Sequence, residues 1–356
     1  MIFIKRKQIY GGKKMRKKLF FLASILVCFA LLGGGVFAGG EQEGAEGKEG
    51  FVLGYDIYYQ GNAWSLQMAE EFKYAVQDYI DSGVVEKVHY TSSDGDITKQ
   101  LNNFDDLVTK GCDAIFISPN APDALVEPIR QAEAEGIKVI VFAIAMSGDD
   151  YTAYVNVSDK SHGAVMAQWM ADELDGKGKV ALINGIPGTQ TAIDVGDGVR
   201  EVLEEYPGME LVQEVFTKWD DSLTKMETNN IMQAYPDLDG IITHSNPRAS
   251  YEAIKEMDRE MIPITWMAEN GALRIWKEGL KAGLKAQAFT KPPRISVEAL
   301  EVGIKALQGK SFEKYTEVPV HIITEAEIDD FYRPGVSDRF WTCSDLPNDV
   351  VKKIFE

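Results

Sequence analysis

Between Phe104 and Phe142 the apolar positions switch between two periods, and the switching predicts a helix, a strand, a second helix and a second strand. Leu107 and Val108 lead through Lys110 and Gly111 into Ala114–Ile117, a short apolar run suited to a strand covered on both faces. It closes at Ser118 and Pro119. Asn120 and Asp123 stand where a helix cap is needed, and Leu125, Ile129 and Ala132 share one face of the helix that follows. Pro128 removes a backbone hydrogen bond there and predicts a loose first turn. Gly136 supplies the stop, and Lys138–Ile144 reads as the next buried strand.

The alternation extends in both directions. Strands are expected at 51–58, 87–92, 114–118 and 138–144, with helices at about 63–80, 96–110 and 124–135. After Ser147–Asp150 the pattern restarts with strand Tyr154–Val157 and a helix at about 161–174. Strands at 179–184, 211–216 and 240–243 follow, each with a helix behind it, ending near 205, 234 and 257. Residues 263–268 and 285–289 are the last strands of this second set, and the helix at about 295–307 is expected to return to the first lobe. The fold class is α/β, with two doubly wound parallel-sheet lobes. Two unconnected tandem domains fit the same local pattern.

Length agrees with two lobes, since 356 residues exceed the size at which one core usually splits. The first 38 residues carry eight Lys or Arg and no acid. An apolar run from Leu19 to Leu32 and the small-x-small sequence Val36-Phe37-Ala38 follow, which together read as a cleaved signal peptide. The run is shorter than the roughly 20 residues of a spanning helix, so a retained anchor is the lesser reading. A typical signal would begin at Met15, with Arg16, Lys17 and Lys18 as its charged region, which suggests that the true start is Met15. Cys28 offers lipid anchoring as an alternative, although Val27 before it is not a small residue. The Gly and Glu run at 39–50 reads as a disordered leader.

With residues 1–38 removed, eight positive charges leave and no negative ones, so a net charge of -18 becomes -26. That charge argues against nucleic acid and anionic lipid as partners. Cys112 and Cys343 allow one disulfide, yet Cys112 opens an apolar strand and reads as a buried free thiol. Signals for catalysis are weak: there is no GxGxxG turn, Walker loop or GxSxG elbow, and His89, His162, His244 and His321 have no metal spacing. Asp94-Gly95-Asp96 reads as a turn with a helix cap rather than a calcium loop. No cofactor or metal is expected, and the residues alone give little sign of an enzyme.

Several stretches carry a family resemblance: GNAWSLQM at 61–68, DLVTKGCDAIFISP at 106–119, GIPGTQTAIDVGDG at 185–198 and AYPDLDGIITHSN at 234–246. The chain resembles the periplasmic sugar-binding proteins of the ribose-binding type, solute receptors of ABC transporters. KWDD at 218–221, ENGALRIWKEG at 269–279 and DFYRPGVSDRFW at 330–341 look like a subgroup of sugar or polyol receptors. The resemblance implies two lobes joined by a hinge of three crossovers, with ligand in the cleft between them and closure by hinge bending. It divides the chain into a first lobe of 51–145 and 291–311, a second of 146–290 and 312–325, and a tail of 326–356.

Carried over residue by residue, the resemblance implies that Asn62 and Trp64 bind ligand after the first strand, and that Trp219 closes on it from the other lobe. Asn62 also fits a helix N-cap, and Trp64 a core position. Phe142, Asp159, Asp194, Asn246, Glu269, Asn270 and Thr290 fall at or beside positions that touch ligand in the family. The departures weigh against ribose itself. Ala143 and Ile144 stand where the ribose type has an Asp-Arg pair, Val195 replaces an Arg, and the Asn-Asp pair of that type becomes Ser245-Asn246, displaced by one. The implied partners are a small sugar or polyol and an inner-membrane ABC permease, for a monomer in the periplasm. A sensory receptor that presents bound ligand to a chemoreceptor or kinase is the alternative, and a periplasmic carbohydrate-active enzyme is the least favoured reading.

Overall fold

A computed structural model describes residues 50–355. The expected signal peptide, Met15, Cys28 and the expected leader up to residue 49 lie outside the described residues.

Strands and helices alternate from the start: β1 (Phe51–Ile57), α1 (Ala63–Asp81), β2 (Val85–Ser92), α2 (Ile97–Thr109), β3 (Ala114–Ser118), α3 (Val126–Ala134), β4 (Lys138–Phe142) and β5 (Ala153–Asn156). A second series follows with α4 (Asp159–Glu173), β6 (Lys177–Asn184), α5 (Gln190–Glu204), β7 (Gly208–Phe216), α6 (Asp221–Ala234), β8 (Gly240–Thr243), α7 (Pro247–Glu256), β9 (Ile264–Trp266), α8 (Asn270–Gly279) and β10 (Ala286–Thr290). The chain closes with α9 (Ile295–Leu307), β11 (Tyr315–Glu317), β12 (His321–Ile323), α10 (Ile328–Phe331) and α11 (Asn348–Phe355).

These strands form two six-stranded sheets, in the orders β11-β5-β4-β3-β1-β2 and β12-β10-β9-β8-β6-β7. Every pairing is parallel except that of β12 with β10. The molecule is therefore two doubly wound α/β lobes, each sheet covered by helices on both faces. Leu53, Tyr55, Phe72, Phe116 and Leu300 anchor the first core; Ile183, Ile241, Trp266 and Trp276 anchor the second.

One expected boundary moves. Tyr154–Val157 was expected to open the second lobe, yet β5 pairs with β4 through Ile140 opposite Ala153 and Phe142 opposite Val155. Ala153 and Val155 are fully buried in the first core. Local periodicity marks a strand without saying which sheet accepts it. The chain thus passes between sheets at 157–158, again at 291–294 after β10, and again at 318–320 between β11 and β12. Val318 N donates to Asn156 O at 2.7 Å, which ties the first passage to the third.

Helix α3 begins at Val126, two residues later than expected, with Leu125 as a cap position lacking any side-chain bond. Pro128 consequently falls in the first turn, where no N–H is missed. Asn120 is drawn away from capping: its N–H donates to Gln100 Oε1 and its Nδ2 to Ser93 Oγ. Asp96 caps α2 through Lys99 N, as the turn reading of 94–96 expected. Cys112 and Cys343 are both buried free thiols.

Helices α4 and α5 meet at glycine contacts from both sides. A Cβ on Gly163 would lie 2.1 Å from Val195 O, and one on Gly198 2.0 Å from Lys160 O. Backbone cannot yield as a side-chain tip can, so Gly198→Ala must push the two helices apart. The expected cost is about 1–3 kcal/mol, read as a lowered melting temperature; an unchanged one would show that the helices are free to separate.

Candidate functional site

In each sheet the strand order reverses once, between β1 and β3 in the first and between β6 and β8 in the second. Strand carboxyl ends splay apart at such a reversal and leave a crevice where ligands of open α/β sheets bind. The polar residues gathered at these ends define the candidate site.

Trp219 crosses the second reversal. Its indole lies against Gly185 at the end of β6, so close that a Cβ there would meet the ring at 2.4 Å. Nε1 donates to His244 O, at the end of β8, at 3.0 Å, and Asn246 Nδ2 donates to Trp219 O at 2.9 Å. Lys218 and Trp219 are consecutive non-glycine residues with φ of 54° and 59°. Strain of that kind persists only where surrounding contacts enforce it, and it collects at functional sites. The ring so held is 41% exposed, a flat apolar face presented at the strand ends.

Two ion pairs flank this platform. Asp159, in the first turn of α4, pairs with Lys291 at 2.8 Å and accepts a hydrogen bond from Thr191 Oγ1. Burial alone would raise the Asp159 pKa, but the facing Lys291 ammonium outweighs it and holds the carboxylate below its ordinary range. Behind the pair, the His162 and His244 rings meet edge to face at 5.2 Å. Burial pushes both imidazoles down, to about 3 and about 4, so they stay neutral beside Lys291.

Glu269, at the start of α8, makes the second pair, with Arg248 at 3.1 Å. The carboxylate is 8% exposed, and its Oε2 has an ionic neighbour but no aligned hydrogen bond; Arg248 Nε is likewise unpartnered. Burial raises the Glu269 pKa to about 7, against the pull of Arg248 and with a smaller push from Asp221. A cavity of about 230 Å³, lined by Asp221, Arg248 and Glu252 among others, adjoins this pair.

The remaining candidates divide. Asn62 caps α1, its Oδ1 accepting from Ser65 N and Ser65 Oγ. Trp64 packs on the first core and donates from Nε1 to Lys291 O at 2.8 Å, which joins α1 to the second passage between sheets. Asp194 lies on α5 and accepts from Gln190. Thr290 Oγ1 accepts from Ala268 N and links the ends of β9 and β10. Phe142 does not line a cleft: it is fully buried in the first core, 5.5 Å from Tyr55. Asn270 is consumed by the C-terminal segment, donating to Arg333 O and Val336 O and accepting from Arg333 N. Lys291 and Arg248 escaped the sequence reading and His244 was weighed there only as a metal ligand, although Lys291 and His244 directly follow apolar strand runs, where a charged or polar residue ends the strand.

The periplasmic binding protein domain model matches residues 53–311. The chain belongs to that family. It is of the ribose-binding type. A xylitol-binding protein of Mycolicibacterium smegmatis is 28% identical over 220 residues, covering 61% of this chain and 60% of that protein. A ribose import binding protein of Bacillus subtilis is 25% identical over 241 residues, covering 67% and 77%. Among solved structures, an ABC transporter solute-binding protein of Bacillus halodurans with bound myo-inositol aligns with a TM-score of 0.67 at 20% identity, over 80% of this chain and 99% of that one. Members of the family are binding proteins, which points away from catalysis.

The buried Glu269 yields a signed pH prediction. Its folded pKa of about 7 lies above the ordinary 4.5, so its contribution is present below pH 4.5 and lost as pH rises towards 7. Glu269→Gln keeps the side chain neutral throughout. The ligand-free variant should gain on the wild type between pH 5 and pH 8, by about 1–3 kcal/mol at the upper end. Melting curves at the two pH values test this, and a difference that does not change with pH contradicts it.

Proposed function

We propose that this chain is the extracytoplasmic receptor of an ABC importer, binding one small sugar or polyol between its lobes and delivering it to a membrane permease. The observation that carries the reading is the exposed, strained Trp219 platform beside the buried Glu269 carboxylate, whose Oε2 meets Arg248 at 3.1 Å without an aligned hydrogen bond. Sugars and polyols present C–H faces that pack on aromatic rings and hydroxyls that donate to carboxylates. Both ion pairs are internally balanced, Asp159 with Lys291 and Glu269 with Arg248, so the site as a whole favours a neutral ligand over an anion. The names of the relatives, xylitol-binding and ribose import, point to the same class.

Ribose itself is the weaker candidate. Val195 is fully buried and Ala143 nearly so, at positions where the ribose type carries charged groups, so the hydroxyl clamp of that type has no counterpart there. A linear or cyclic polyol asks for fewer such contacts. Binding acts by differential affinity: a ligand that touches both lobes stabilises the closed arrangement over the open one. The passages at 157–158, 291–294 and 318–320 are where the backbone would bend.

A thermal-shift panel of pentoses, hexoses and polyols tests the reading, because a ligand that binds only the folded state raises the melting temperature. At a concentration 100 times its Kd, a true ligand stabilises by about 2.7 kcal/mol. Trp219→Ala should remove the shift with little change in ligand-free melting, the ring being half in solvent. Retention of the full shift in that variant refutes the platform assignment.

A further inference from the structure

The C-terminal segment that follows α10 does not trail away from the lobes. Its fold is set by Arg333, whose guanidinium stacks 4.8 Å from the Phe340 ring centre and donates to Ser344 O and Leu346 O. Val336, Phe340, Leu346 and Val351 make a small core of their own. The loop so formed is held to the second lobe by backbone as well as by Asn270. Asn270 N donates to Phe340 O at 2.6 Å, Gly271 N to Asp338 O at 2.9 Å, and Thr342 N to Ala268 O at 2.8 Å.

The same loop is held by the first lobe. Gln67, fully buried on α1 and one turn beyond Trp64, brackets Trp341: its Oε1 accepts from Trp341 N and its Nε2 donates to Trp341 O, both at 2.9 Å. Gln67 Nε2 also donates to Glu71 Oε1, which fixes the amide orientation. Arg294, at the second passage between sheets, pairs with Asp345 at 2.8 Å. Trp341 is therefore clasped between the helix that follows β1 and the strand end that carries Glu269, and it forms an antiparallel bridge with Glu269 itself. In such a bridge the two side chains stand next to each other on one face.

Both of those side chains keep a polar atom whose hydrogen-bonding capacity is not filled. Trp341 Nε1 is buried without a hydrogen-bond partner, as is Arg248 Nε, and Glu269 Oε2 has the Arg248 guanidinium at 3.1 Å but no aligned hydrogen bond. A buried donor left unpaired is costly, and here two donors and an incompletely served carboxylate oxygen are found around one strand end. A hydroxyl group both accepts and donates, so it can take the indole N–H and give its own hydrogen to the carboxylate.

We propose that the C-terminal segment is part of the ligand site, with Trp341 as a binding residue whose indole N–H and neighbouring Glu269 carboxylate together hold one ligand hydroxyl. This rests on the sugar or polyol reading above. The segment is then a third wall added to the two lobes, and Gln67 is the positioning residue that sets Trp341 in place.

The test is calorimetric titration of the whole protein with xylitol, ribose and myo-inositol. Trp341→Phe keeps a ring but removes the donor: affinity for whichever compound the wild type binds should fall at least tenfold, with ligand-free melting within about two degrees of wild type. Hydrogen exchange of the wild type supplies a reading that needs no variant, since residues 337–343 should gain protection on binding. Affinity within twofold of wild type in Trp341→Phe, or unchanged exchange over 337–343, overturns the proposal while leaving the receptor reading intact. A wild type that binds none of these three and no other pentose, hexose or polyol of the panel above overturns both.

Discussion

Charge held out of water between two sheets is the constraint on which this structure turns. Burying an ion is expensive unless a partner and further hydrogen bonds replace its water shell. The seam between the lobes meets that demand unevenly. Asp159 is fully served by Lys291 and Thr191, and Lys291 O in turn takes the Trp64 indole, so this end of the seam is a finished joint between α4, α1 and the passage after β10. Glu269 is served only in part, by an unaligned Arg248. The first is a finished joint; the second leaves a carboxylate oxygen without an aligned hydrogen bond.

The neutral imidazoles fit the same division. His162 and His244 lie beside the Asp159–Lys291 pair, and a proton on either would add a third buried charge there. Burial keeps them neutral, and their place under the Trp219 platform makes them packing elements with polar edges. Trp219 meets the His244 ring at 6.1 Å, edge to face, so the exposed indole rests on a half-buried ring. Its orientation is fixed by the hydrogen bond to His244 O and by the contact with Gly185.

Much of the fold was legible because parallel strands covered on both faces and amphipathic helices write different periods. β3 and β8, at 114–118 and 240–243, and α9, at 295–307, lie where the apolar runs place them. Sheet membership was not legible for β5, since its acceptance by β4 depends on pairing across a turn whose local pattern resembles a fresh start. Of the residues expected at the site, Trp219 and Glu269 stand at strand ends, one exposed and the other buried beside Arg248, whereas Phe142 was drawn into the core by Tyr55 and Asn270 was taken by the tail. Lys291, Gln67 and Trp341 gain their meaning from contacts across 132, 274 and 274 residues of chain, and no local period reports such a distance.

The central claim is that a neutral polyhydroxylated ligand sits at the strand ends between the two sheets. A crystal structure of the protein grown with a polyol that raises its melting temperature tests it most directly. The account predicts one ligand molecule lying on the Trp219 ring, with a hydroxyl on the Glu269 carboxylate. Ligand density elsewhere on the surface, with the Trp219 face and the Glu269 oxygen untouched, would contradict it.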